Sequence, residues 1–324
     1  MIRVDGLVKR YGPKTVLEGI NFAIPQGCLL GLLGLNGAGK TTLLNIITGC
    51  LGATEGSVTV NGYDVSTDSL NAKKAIGYLP ELIAFYNDMR VREYLDFICD
   101  VKRVRKNRRA YVAELCEQVG ISHITGRVIR NLSLGYRQRV GLVQAMIGDP
   151  KVLILDEPTS GLDPSQIIKI RTLISEIGKT RTVIISSHIL SEIQTLCTRI
   201  IMLHNGRIVA DSPTEHLYKD ITKSNMVVAR IVGDPQEVLK ALGQLIGVTE
   251  LRVTEEKEPG AFEYVIESTN VSGIRKEIFH ILSDAKLPLV QMHTNALSLE
   301  DIFLNIVQRQ CGEDISEADS PNLV

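Results

Sequence analysis

Up to about residue 220, short apolar runs end in Gly- or Asp-containing loops and alternate with helical patterns. The runs 28–33, 152–155 and 183–185 are apolar without alternation, as expected of strands covered on both faces of a parallel sheet. Polar loop residues follow each run, which places chemistry at the carboxyl ends of the strands. Residues 2–26 instead alternate and turn at Tyr11-Gly12-Pro13, predicting an antiparallel edge layer. Residues 88–130 carry helix formers and no strand pattern, which predicts a helical insertion.

Beyond residue 221 the pattern changes. Strands are predicted at 227–232, 251–253, 262–266 and 287–292, the middle two flanking a turn in EEKEPGA. Helices are predicted at 235–245, with Pro235 in the first turn, and at 274–282, where Ile274, Ile278, Ile281 and Leu282 share one face. The order β-α-β-β-α-β is that of a ferredoxin-like α+β sandwich, closed by a further helix at 299–307. The acidic, Pro- and Ser-containing stretch 311–324 is expected to be disordered. This gives an α/β domain over 1–220, an accessory domain over 221–310 and a tail.

Composition excludes more than it selects. Of 324 residues, 36 are Lys or Arg and 37 are Asp or Glu, so the net charge of −1 gives no global attraction to nucleic acid or anionic membrane. Trp is absent and aromatics make up 5%, which argues against a base-stacking or carbohydrate platform. Six scattered cysteines without a C-x-x-C pair read as reduced thiols of a cytosolic protein, not a disulfide framework or zinc site. The charged N-terminal segment is not a secretory signal, and the uncharged window 19–39 is broken by Asn21, Pro25, Gln26 and glycines, so no membrane span is expected. The densest charge run, 103–109, is best read as a solvated helix end.

The chemistry-bearing segments begin with GLNGAGKT at 34–41, matching G-x-x-x-x-G-K-[ST] between an apolar strand and a helix predicted at 42–48. Glycines let successive backbone N–H groups turn onto phosphates, and the helix N-terminus adds partial positive charge. Lys40 would neutralise the β- and γ-phosphates and Thr41 would ligate Mg²⁺. The second segment, VLILDEP at 152–158, ends a buried strand in adjacent carboxylates. Asp156 can reach the Mg²⁺ shell, while Glu157 can face the γ-phosphate and polarise a water. Alone, such a pair would be taken for a helix cap.

The stretch LSLGYRQR at 132–139 resembles the LSGGQ-type signature of ATP-binding cassette (ABC) ATPases, and it precedes the Asp-Glu strand as that family requires. Ser133 and the Gly135 backbone lie at a helix N-terminus, an anion site that acts when it meets a second chain's nucleotide. The resemblance covers 1–220. It implies a P-loop ABC ATPase fold of parallel core sheet, antiparallel edge layer and helical subdomain at about 82–140. It also implies a nucleotide site of Tyr11, Gly34, Asn36, Gly37, Ala38, Gly39, Lys40, Thr41, Thr42, Ser133, Gly135 and Asp163. Within that set Tyr11 matches the adenine-stacking aromatic, and Asp163, in SGLD at 160–163, matches the loop that contacts the opposite protomer. His188 matches the switch histidine at the γ-phosphate.

One position departs from the family pattern. Glu81, in GYLPE at 77–81, stands where the family usually has Gln. It can still present a carboxylate oxygen to Mg²⁺ or to the attacking water, but it lacks the amide donor. The catalytic set is therefore Glu157, His188 and Glu81, with Thr41, Asp156 and Glu81 as metal ligands. YLPE and the closing LEDIFL at 299–304 are similar to elements of ABC-2-type, GldA-like export ATPases.

The resemblance implies a cytoplasmic ATPase subunit of a bacterial exporter, peripheral on the inner face of the membrane. It would form a head-to-tail homodimer around two MgATP and drive a separate membrane permease. The alternative is a soluble ABC ATPase acting on nucleic acid or the ribosome. Against it, only about ninety residues without sustained heptads separate the P-loop from the signature, and the chain carries one cassette. No nucleic-acid partner is expected.

Overall fold

The structure is a computed structural model that describes residues 1–104, 107–214, 225–268 and 271–295. The chain divides into two compact units, Met1–Thr214 and Glu215–Val324.

The first unit opens with an antiparallel layer. β1 (Ile2–Tyr11) pairs with β2 (Lys14–Ile24) on one side and β4 (Glu55–Val60) on the other, and β5 (Tyr63–Asp64) completes the order β2-β1-β4-β5. Ile2 lies opposite Ile24 and Val4 opposite Phe22, so alternate side chains form one buried face, as the alternation predicts.

A second sheet runs β10 (Arg207–Pro213), β9 (Arg199–His204), β3 (Leu29–Leu33), β8 (Thr182–Ser187), β7 (Val152–Asp156) and β6 (Ile76–Leu79). From β9 to β6 all neighbours are parallel. The edge strand β10 is antiparallel, which the expectation of a parallel core omitted. Its cause is local: Asn205 and Gly206, both at positive φ, make a two-residue hairpin turn, and so tight a turn can only return an antiparallel strand.

Helix α1 (Lys40–Ile47) starts two residues before the expected 42–48 and lies between the sheets. Its Leu43, Leu44 and Ile47 share a core with Ile2, Val4 and Ile20 of the first sheet and Leu30, Leu32 and Ile154 of the second. Three helices form the expected helical part: α3 (Val91–Val101), α4 (Arg108–Val119) and α5 (Leu134–Met146), preceded by the short α2 (Ser69–Ala75). At the start of α4, Arg108 pairs with Asp96 and Asp100, which neutralises part of the basic run at 103–109. Two further helices, α6 (Pro164–Gly178) and α7 (Leu190–Leu196), flank β8 in sequence.

In the second unit, β11 (Asn225–Val232), α8 (Pro235–Leu242), β12 (Val248–Glu258), β13 (Ala261–Ser268), α9 (Val271–Asp284) and β14 (Leu289–Asn295) follow the β-α-β-β-α-β order. The antiparallel sheet runs β12-β13-β11-β14. Val227, Ala229 and Ile231 of β11 pack with Val238, Leu242, Ile274 and Ile278 of the helices, a core of its own.

The turn expected across EEKEPGA is shorter than predicted, because β12 continues to Glu258 and only Pro259 and Gly260 separate it from β13. Charged residues are tolerated on an edge strand whose side chains face water, and Glu258 is held by Arg230 at 2.7 Å. The predicted helix at 299–307 and the tail at 311–324 lie outside the described residues. Among the described residues, no helix is long and apolar enough to cross a membrane.

Candidate active site

Between β3 and α1 the chain passes through a loop that only glycine can build. Gly39 sits at φ +104°, and a Cβ there would lie 2.8 Å from Leu17 Cδ2. At Gly34 a Cβ would meet the Leu203 carbonyl at 2.5 Å. The loop is thus wedged against the neighbouring strands. Lys40, the first residue of α1, is 7% exposed. Its Nζ donates to the Gly34 carbonyl at 2.7 Å and lies 3.7 Å from Glu157 Oε1. A buried ammonium needs such partners.

At the end of β7, Asp156 is fully buried. Ser186 Oγ donates to Asp156 Oδ1 at 2.5 Å and accepts from the Glu157 N–H at 3.0 Å, joining β7 to β8. The other oxygen, Oδ2, is buried without a hydrogen-bond partner among the described residues. The next residue, Glu157, has φ +48°, a conformation that non-glycine residues rarely adopt and that clusters at functional sites. Its Oε2 lies 2.9 Å from His188 Nδ1, just past β8. Burial pushes the Glu157 carboxyl above its ordinary value, while His188 and Lys40 draw it back.

Lys40, Glu157 and His188 open on a cavity of about 550 Å³ lined by Val16, Leu35, Asn36, Gly37, Gly39, Lys40, Thr41, Thr42, Glu81, Glu157, Ser160 and His188. Asp156, the residue before Glu157, is buried and is not part of the lining. Nine predicted site residues therefore line one cavity. Val16, Leu35 and Ser160 were not among the predicted site residues; the first two are apolar and carry no chemical signature, and Ser160 was singled out only as the first residue of SGLD.

Other predicted residues lie elsewhere. Gly34 and Ala38 are buried within the loop and do not line the cavity, Ala38 being 4% exposed. Tyr11 is half-exposed beneath Lys9 Nζ, 4.9 Å from its ring centroid, and is not part of the lining. Asp163 caps α6, accepting from Gln166 N at 3.0 Å and Ser165 Oγ at 2.7 Å; these bonds hold its carboxyl below its ordinary value. Ser133 is the exposed N-cap residue of α5 and its side chain makes no capping bond. Gly135 is buried, with Gln166 Oε1 at 2.0 Å from where a Cβ would stand. Neither Ser133 nor Gly135 lines this cavity.

Sequence reasoning also missed Glu192 on α7, which is 4% exposed and accepts from Thr159 Oγ1 at 2.5 Å. The one available signal was a carboxylate four residues after His188, the single charged residue in the helix LSEIQTL.

Residues 17–160 match the ABC transporter family. The bacitracin transport ATP-binding protein BcrA of Bacillus licheniformis is 36% identical over 221 residues, 68% of this chain and 72% of BcrA. YdbJ of Bacillus subtilis, an ABC transporter ATP-binding protein, is 31% identical over 317 residues, 97% of this chain and 98% of YdbJ. The chain belongs to the ABC transporter ATP-binding proteins. A solved structure described as the ATP binding subunit of an ABC transporter superposes with a TM-score of 0.63 at 26% identity, covering 68% of this cassette protein and 93% of that one. ABC ATP-binding domains bind ATP and hydrolyse it to power transport, so this ABC protein is an ATPase.

Proposed function

We propose that the cavity beside Lys40 is the MgATP site of an exporter ATPase, with each residue in the role its position suggests. The observation that carries this is the convergence of Lys40, Glu157 and His188 on one cavity at the carboxyl ends of parallel strands. Backbone N–H groups of the loop from Gly34 to Gly39, with Thr41 and Thr42 at the start of α1, receive the phosphates. Lys40 exchanges its bond to the Gly34 carbonyl for one to phosphate. Glu157 orients the attacking water and accepts its proton, His188 holds the Glu157 carboxylate and faces the γ-phosphate, and Glu81 adds a second carboxylate to the same cavity.

The residues also fit Mg²⁺. Asp156 offers a buried carboxylate oxygen without a partner among the described residues, and Thr41 offers a hydroxyl on the cavity wall. Among the described residues, no group of three or more His, Cys, Asp or Glu is placed to hold a metal. A site of one or two carboxylates completed by substrate phosphates is the usual one for this ion. When bound, Mg²⁺ supplies charge neutralisation at the phosphates.

Exporter function rests on the resemblance to ABC-2-type export ATPases and on the likeness to a bacitracin transport protein. The near full-length match to YdbJ argues against the nucleic-acid or ribosomal alternative. In this reading the subunit is cytoplasmic and meets its permease at the membrane's inner face. A groove of about 430 Å³ beside Pro80, lined by Ile76, Tyr78, Ile98 and Val101 among others, suits an apolar segment of that permease. Nearby in sequence, Leu82 is 87% exposed. In this reading the nucleotide-binding domain spans 1–220 and the accessory domain 221–310, the latter serving partner docking.

The test is turnover. Glu157→Gln lowers ATP hydrolysis by about 10²–10⁴-fold while MgATP still binds. Wild-type turnover by that variant overturns the assignment.

A further inference from the structure

Glu192 carries a negative charge into a place where charge is strongly unfavourable unless it is paired. Its partners come from three separate segments. Thr159 Oγ1 donates to Oε2 at 2.5 Å, Ser187 Oγ donates to the same oxygen at 3.3 Å, and Arg171 Nη2 of α6 stands 3.7 Å from Oε1. Thr159 follows Glu157 by two residues, and Ser187 immediately precedes His188. Ser187 Oγ also accepts from the Ile189 N–H at 3.0 Å, so this one hydroxyl spans the turn that carries His188. Both segments that bear the Glu157–His188 pair therefore end on a single carboxylate oxygen behind it.

We infer that Glu192 is a positioning residue for ATP hydrolysis: it holds the Glu157 loop and the His188 turn in mutual register. The inference rests on the reading of Glu157 as the base and His188 as its partner at the γ-phosphate. Two features set this contact apart from ordinary helix packing. Glu157 is held at φ +48°, a conformation that persists only where the surroundings fix it, and Thr159 is the buried anchor on its downstream side. Salt-bridging α6 to α7 would need only Arg171. Instead, both hydroxyl donors come from the loops flanking the reactive pair, and they converge on the carboxylate oxygen that Arg171 leaves free. Water orientation is sensitive to displacements of this size, since a 1 Å shift at the reacting groups can slow turnover about a hundredfold.

The experiment measures steady-state MgATP hydrolysis by the full chain carrying Glu192→Gln, Thr159→Val, Thr159→Ser, the double change Thr159→Val/Glu192→Gln, and Glu157→Gln as reference. Glu192→Gln and Thr159→Val each lower kcat by about 10- to 100-fold while KM for MgATP stays near the wild-type value. The double variant loses little more than the worse single one, because both remove the same contact. Thr159→Ser, which keeps the hydroxyl, recovers most of the loss.

Wild-type kcat in folded Glu192→Gln and Thr159→Val chains, beside an inactive Glu157→Gln, overturns the positioning role alone. Wild-type turnover by Glu157→Gln overturns the catalytic reading and this inference with it. Should Glu192→Gln fail to fold, the Thr159→Val and Thr159→Ser pair decides, and equal kcat in those two overturns the inference.

Discussion

His188 Nδ1 stands 2.9 Å from Glu157 Oε2, while Lys40 Nζ stands 3.7 Å from the other oxygen of the same carboxylate. One buried carboxylate is thus held between an imidazole and an ammonium at the edge of the cavity. Burial favours its protonated form and the two neighbours favour its ionised form, with burial the larger effect. The balance sets the pH at which the group can accept a proton.

The first prediction concerns that balance. Glu157 must be ionised to accept a proton from water, so turnover falls on acidification, with its limb above the ordinary glutamate range. His188→Gln removes one of the two groups that draw the carboxyl down, so the limb of the residual rate moves to higher pH. Stability follows the opposite course: between the unfolded and the raised folded value the native chain holds more protons, so stability declines as pH rises through that window. A pH–rate profile of both chains decides, and a limb unmoved or displaced to lower pH counts against the assignment.

A second prediction separates phosphate charge from loop geometry. Lys40→Ala removes a charge-assisted contact of about 1.5–3 kcal/mol, so MgATP affinity falls about tenfold or more. Gly39→Ala forces a side chain into φ +104° against Leu17, with strain of about 1–3 kcal/mol, so thermal stability drops as well as affinity. Titration and thermal unfolding of both variants make the check. Unchanged affinity in Lys40→Ala removes the phosphate role.

Much of this was legible in the sequence where a residue type is forced by local geometry. Gly34 and Gly39 are glycines because no Cβ fits, and unbroken apolar runs such as 152–155 have to be covered on both faces. What escaped depends on the third dimension. Glu192 looks like any solvated helix carboxylate until Thr159 is brought to it from 33 residues earlier in the chain, beside its near neighbour Ser187. The antiparallel edge at β10 was open to inference from Asn205-Gly206, but an apolar run does not disclose the direction of its neighbour. Ser133 and Gly135 were identified from the signature motif, and their distance from the Lys40 cavity follows if they serve a second chain's nucleotide.

The third prediction concerns the accessory domain. Each unit has a separate hydrophobic core, so a chain ending near residue 220 keeps the packing around α1, β3 and β7 that builds the nucleotide site. Such a chain is expected to bind MgATP with unchanged affinity while losing assembly with its permease or the regulation of its turnover. Circular dichroism and nucleotide titration test it together. A folded truncated chain unable to bind MgATP places the second unit in the nucleotide site instead.

The last prediction joins catalysis to dimerisation. Ser133 is exposed at the N-terminus of α5 and its side chain makes no capping bond, leaving a helix terminus suited to an anion. If that anion is the γ-phosphate held by a second copy, each nucleotide lies between the Lys40 loop of one chain and the Ser133 turn of its partner. Glu157→Gln slows hydrolysis but leaves Lys40, Thr41 and Ser133 in place, so MgATP should accumulate in a head-to-tail dimer containing two nucleotides. Adding Ser133→Arg puts bulk where the phosphate docks and should return the protein to monomers, although each chain still binds nucleotide through its own loop. Sizing chromatography with and without MgATP, combined with nucleotide counting, separates the outcomes. A Glu157→Gln, Ser133→Arg chain that dimerises as fully as Glu157→Gln alone removes Ser133 from the composite site. A Glu157→Gln chain that stays monomeric at saturating MgATP, yet dimerises once its permease is present, assigns the permease the task of holding the two protomers within reach of each other.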